Sequence, residues 1–117
     1  MRTVQATLGG ATATLEVAEN EQDRAKGFMF RESCPTHHGI VFVYDEDVMT
    51  PYTMKNVEIP LSIALLDEGM CIIEVIDMQP GVALYKPSQP YRYAVEMPQG
   101  WFDENCDSST CAIPLQS

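Results

Sequence analysis

TVQATL and ATATLEV alternate apolar and polar positions on either side of Gly9-Gly10. That pattern predicts two strands joined by a two-residue turn, because paired glycines accept the positive φ angles such turns require. NEQDRAKG then reads as a short helix. Asn20 caps it, Glu21 and Asp23 occupy its first turn, Arg24 and Lys26 its last, and Gly27 stops it. At about two turns it must be held by packing rather than propensity, with Phe28 and Phe30, around Met29, as its anchors. ESCPTHHG is a loop. GIVFVY (39–44) is a near-continuous apolar run and predicts a buried strand, followed by DEDVMTP as another loop.

YTMKNV can extend as a strand until Pro60 removes a ladder donor. LSIALLD sets Leu61, Ile63 and Leu65 against Ser62, Ala64 and Leu66, and DEG turns it into MCIIEVIDM, so 61–66 and 70–78 form an antiparallel hairpin. QPGVALYKPSQPY has no period and reads as a long loop. RYAVEM points Tyr93, Val95 and Met97 inward and Arg92, Ala94 and Glu96 outward. PQGWFDEN is a single helical turn that packs Trp101 and Phe102, and CAIPL is a short edge strand that tolerates Pro114. The predicted fold is mainly β: a compact antiparallel β-sandwich or barrel-like fold with one or two short helices.

The chain has 117 residues and no break in composition, so residues 1–117 form one domain with one core. Asp and Glu number 17 against 7 Lys and Arg. That balance repels phosphate backbones and anionic bilayers, so neither nucleic acid nor membrane insertion is expected. MRTVQATLGG reads directly into structure without a secretory signal, which gives a cytoplasmic protein as the sequence stands, although a mature fragment of an exported precursor would look the same. Of the four cysteines, Cys71 lies in an apolar run and reads as a small core residue. Cys106 and Cys111 are close enough to bridge a tight loop, against which the lack of a signal argues for a reducing compartment.

DRAKGFMFR (23–31), GIVFVY (39–44), MKNVEIPLSIALLDEG (54–69) with the following IIEVIDMQP, and YAVEMPQGW (93–101) stand in an order and spacing that resemble the domain of unknown function 192, a bacterial and archaeal family. The resemblance implies a compact, largely antiparallel β fold with a short helix near the N-terminus, and no established activity. Many relatives carry export signals, so it leaves an extracytoplasmic location open. The chain departs from the family pattern at Thr53, where tryptophan is usual, and at Ser62, where aspartate is common. A ligand touching those positions would be held differently here.

Arg31, Lys55, Asn56, Glu96 and Trp101 are the candidate ligand-binding residues. The cations would bind a carboxylate, Asn56 would donate and accept as sugar hydroxyls require, Trp101 would stack, and Glu96 would accept. The structural reading of the same residues pairs Lys55 with Glu96, ties the helix end to a strand through Arg31, and leaves Asn56 and Asp67 satisfying turns. Cys34, His37 and His38 with Cys106 and Cys111 could form a zinc set, and Cys34 with His37 a nucleophile and base, but adjacent histidines on an acidic loop are more often solvated. The acids at 45–47 and 67–68 lack calcium-loop spacing. No catalytic residue, metal or cofactor is therefore assigned. The leading expectation is a non-enzymatic module binding a small polar ligand, a carbohydrate or organic anion. The alternatives are a hydrolase using carboxylates among Glu74, Asp77 and Glu96, and a protein-interaction module presenting Tyr85, Tyr91 and Tyr93. Oligomeric state is not legible.

Overall fold

In the computed structural model, which describes residues 2–115, β1 (Thr3–Leu8) turns through Gly9-Gly10 into β2 (Ala11–Ala18), with Leu8 opposite Ala11 and Gly9 at φ 63°. The helix α1 (Glu21–Lys26) follows. The Asn20 side chain accepts the Asp23 N–H at 2.8 Å, and Gly27 ends the helix with φ 44° while donating to the Asp23 carbonyl.

β3 (His38–Val48) is longer than its apolar core predicts. Its acidic end, Asp45 to Asp47, is exposed, so extending the strand desolvates no charge, and the pairing register shifts between Val43 and Val48. The segment YTMKNV, in contrast, yields only β4 (Tyr52–Thr53). The chain turns immediately, with Val57 donating to the Met54 carbonyl and Asn56 at φ 63°, a conformation asparagine tolerates better than most side chains. β5 (Leu61–Leu66) and β6 (Ile72–Met78) form the expected hairpin. Within the predicted long loop, β7 (Leu84–Tyr85) pairs with β4. β8 (Tyr91–Pro98), α2 (Trp101–Asn105) and β9 (Ile113–Leu115) complete the chain.

Seven strands make one curled sheet in the order β6-β5-β8-β3-β2-β1-β9, with β4 and β7 as a separate pair. The fold is thus the expected mainly β, barrel-like one with two short helices. It departs from a wholly antiparallel arrangement at β2 and β3, which run parallel. Helix α1 lies in the connection between them, as a parallel crossover requires.

The cysteines differ from expectation. Cys71 is bonded to Cys111, not packed in the core, and Cys106 is free. Cys71 and Cys111 face each other in an isolated antiparallel bridge, with Ile72 donating to the Thr110 carbonyl and Ala112 to that of Met70. They lie just before the two edge strands, β6 and β9, so the disulfide joins the ends of the curled sheet. Sequence proximity of Cys106 to Cys111 counts for less than this cross-strand opposition.

Both faces of the sheet are covered. On one, Leu15, Val41, Leu66, Val95 and Met97 pack with Trp101 and Phe102 of α2. On the other, Ile40, Phe42, Leu61, Ile63, Leu65 and Ala94 pack beneath Phe28, Met54 and Val57. All six residues of β5 are buried. Glu96, expected to face outward to water, is instead on a buried face between Ile40 and Ile63.

Candidate functional site

Glu96 sits on β8, between β3 and β5, opposite Ile40 on one side and Ile63 on the other. The alternation of β8 sends its side chain to the face that α1 and the 49–57 segment cover. It is 5% exposed, and burial pushes its carboxyl up to about 8. Among the described residues no ion pair or hydrogen bond reaches that carboxyl. Among the described residues no buried polar side-chain atom is sealed without a partner, so its oxygens open onto the neighbouring cavity that Glu96 lines.

That cavity, of about 450 Å³, lies between α1 and the sheet. Phe42, Tyr44 and Tyr52 form one wall, Phe28, Met29 and Val57 line its apolar part, and Glu21, Arg24, Lys26, Thr50 and Thr53 surround it from α1 and the 49–57 segment. The aromatic wall is tightly tied. Tyr44 and Tyr52 share a hydrogen bond of 2.9 Å between their hydroxyls, and Tyr91 donates to the Thr50 carbonyl at 2.7 Å. Burial, reinforced by Tyr44 and Tyr91, raises the Tyr52 hydroxyl far above its ordinary value, so it stays neutral. Arg24 is held in place by the Val43 carbonyl, which accepts from Nη1 at 2.8 Å, and by the Tyr44 ring, 4.8 Å from its guanidinium carbon. Gly27 supplies the space. A β-carbon there would lie 3.4 Å from Phe42 Cζ and 3.5 Å from Glu96 Oε1.

Of the five residues expected to form a site, only Glu96 lines this cavity. Arg31 is engaged with both carboxylate oxygens of Glu16 and lies over the Phe28 ring at 5.1 Å. The hydrogen bond from Arg31 holds Glu16 below the ordinary carboxylate range. Lys55 and Asn56 are exposed in the turn after β4, and Lys55 makes no ion pair with Glu96. Trp101 belongs to the opposite face of the sheet, buried against Phe102, and donates its indole N–H to His37 Nδ1 at 2.8 Å. It presents no free stacking surface. The five residues are therefore dispersed, and the cavity beside Glu96 is lined instead by Gly27, Arg24, Tyr44 and Tyr52.

The other candidates are dispersed too. The zinc set is not assembled, because Cys111 is in the disulfide and His37 Nδ1 accepts from Trp101. Burial raises the Cys34 thiol, which donates to the His38 carbonyl, the reverse of an activated nucleophile. Glu74 accepts from Ser88 and Asp77 from Ser62, both on β6, away from the cavity. Tyr91 is fully buried and Tyr85 and Tyr93 are partly so, so no tyrosine patch is exposed. Among the departures from the family pattern, Thr53 lines the cavity, and Ser62 bridges Asp77 to the Gly100 N–H.

Arg24 and Gly27, which line the cavity, read in the sequence only as the last turn and stop of a helix. A signal was present in β5, where both parities are apolar. A strand buried on both faces implies that the strand beside it is covered too, and that marks Glu96 as a buried charge.

The fold is shared with solved structures. A crystal structure from Sinorhizobium meliloti 1021, described as a candidate transcription regulator, superposes with a TM-score of 0.90 at 20% identity, over 97% of this chain and 94% of that one. A protein of unknown function from Novosphingobium aromaticivorans DSM 12444 gives 0.85 at 20% identity, over 94% and 84%. A comparison with curated proteins finds no match. The family profile described as Uncharacterized ACR matches residues 4–106, and with the blocks at 23–31, 39–44, 54–69 and 93–101 inside that span the chain belongs to the DUF192 family.

Proposed function

We propose that this chain is a small binding module that holds a small polar ligand, a carbohydrate or organic anion, in the cavity between α1 and the sheet. The observation that carries this reading is Glu96, a carboxyl 5% exposed, without a hydrogen-bond partner among the described residues, and lining the cavity. An unpaired buried carboxyl costs stability. A ligand that hydrogen-bonds to it recovers part of that cost on binding, which is a reason for a protein to keep such a group beside a void. The cavity volume of about 450 Å³ suits a ligand of sugar or amino-acid size. A hydrolase is less well supported, since the other two carboxylates considered, Glu74 and Asp77, are bonded elsewhere. A duplex-binding regulator is disfavoured by the net charge of −10.

Thermal-shift and calorimetric titration with a panel of sugars, organic acids and amino acids tests the reading. A cavity ligand at a hundredfold excess over its dissociation constant stabilises the fold by about 2.7 kcal/mol. The stabilisation is lost in Thr53→Trp, which narrows the cavity, and kept in Lys55→Ala and Asn56→Ala. Stabilisation that survives Thr53→Trp and disappears in Lys55→Ala moves the site back to the exposed turn and overturns the proposal.

A further inference from the structure

We infer that the ligand of this cavity is a zwitterion of the α-amino-acid type with an apolar side chain, its ammonium on Glu96 and its carboxylate at Arg24 and Lys26. The inference rests on the reading above that the cavity holds a small polar ligand, and it names a zwitterion in place of a carbohydrate or simple anion. The buried end of the cavity lining carries the Glu96 carboxyl and Phe42, and the Tyr52 ring lines the same cavity. An ammonium satisfies such an end with one charge-assisted hydrogen bond and the negative faces of the rings. A polyol does not. The Tyr44 and Tyr52 hydroxyls are bonded to each other and that of Tyr91 to the Thr50 carbonyl, so several sugar hydroxyls would be desolvated with few partners.

The α1 side carries the opposite sign. Arg24 and Lys26 outnumber Glu21 there, and the Val43 carbonyl and the Tyr44 ring fix Arg24 while most of its five donors remain unused. A carboxyl inside, which becomes negative on giving up its proton, and cations on the α1 side match an amino acid bound amine first. Phe28, Met29 and Val57 supply the apolar wall for its side chain.

A proton count separates this ligand from a neutral one. At neutral pH the buried Glu96 carboxyl holds its proton, and an incoming ammonium requires the carboxylate, so binding releases the proton to buffer. The other titratable groups lining the cavity are Glu21, Arg24, Lys26, Tyr44 and Tyr52. Calorimetry with L-phenylalanine and L-leucine in two buffers of different ionisation enthalpy reads the release directly. The expected result is about one proton released per molecule bound, with 3-phenylpropionate and 2-phenylethylamine each at least about tenfold weaker than phenylalanine. In Glu96→Gln phenylalanine weakens and the release disappears. In Arg24→Met phenylalanine weakens while 2-phenylethylamine does not, a readout that stands even where Glu96→Gln folds poorly. If a sugar or simple acid binds the cavity without proton release and the amino acids do not, the zwitterion is overturned and the binding module survives. If nothing in the panel binds wild-type protein, both fall.

Discussion

A β-carbon on Gly27 would stand 3.5 Å from Glu96 Oε1 and 3.4 Å from Phe42 Cζ. The residue that ends α1 is thus also the residue that leaves room beside the buried carboxyl, which couples the helix stop to the cavity. Gly27→Ala is expected to destabilise the fold by about 1–3 kcal/mol, since φ 44° strains any L side chain, and to weaken any cavity ligand. Urea unfolding and ligand titration of the same variant measure the two effects separately.

Glu96 makes stability fall as pH rises. Its folded-state value of about 8 lies above its ordinary 4.5. The contribution is therefore complete below about pH 4.5, declines as the unfolded chain ionises first, and is lost once pH passes about 8. Glu96→Gln keeps a neutral side chain at every pH. It is expected to flatten the slope between these values and to be more stable than wild type in alkali by on the order of a few kcal/mol, as urea melts across the range would show.

Glu16 has the opposite sign. Arg31 lowers its value, so its contribution is present above the ordinary 4.5 and disappears as pH falls through the lower folded-state value. The pair is about one-third exposed, and screening keeps its worth near 0.5–1 kcal/mol. A double-mutant cycle of Arg31→Met with Glu16→Gln, run at low and high salt, should give a coupling of that size that shrinks with salt.

The disulfide closes a loop with a sequence separation of 40 residues, for which chain entropy predicts about 4 kcal/mol of stabilisation. Cys71→Ala with Cys111→Ala is expected to lose an amount of that order. Denatured, unreduced protein should show the thiols of Cys34 and Cys106 alone, and a thiol assay gives the count.

How far the sequence carries depends on the range of the interaction. The Gly9-Gly10 turn, the Asn20 cap, the β5–β6 hairpin and the Trp101 turn rest on neighbouring residues, and each is legible. The pairing of β2 with β3 and of Cys71 with Cys111 depends on how the sheet curls, which no local pattern encodes. The end of β3, Asp45 to Val48, reads as loop because acids are poor strand formers, yet the strand extends where Asp45, Glu46 and Asp47 remain in water. The candidate residues are dispersed for a related reason. Arg31, Lys55 and Asn56 attract attention by chemical type, but Arg31 has a partner in Glu16 and the other two are exposed in a turn. Only Glu96 combines a charged type with an environment that does not satisfy it, and environment became visible only with the fold.

The most direct test of the account is the titration of the Glu96 side-chain carboxyl carbon, followed by NMR in glutamate-labelled protein and assigned with Glu96→Gln. The expected midpoint is at about 8 in the free protein, moving to lower pH when a cavity ligand carrying an ammonium is added. A midpoint near the ordinary 4.5, unmoved by ligand, would mean that the carboxyl is solvated or already paired, and would contradict the site at its centre.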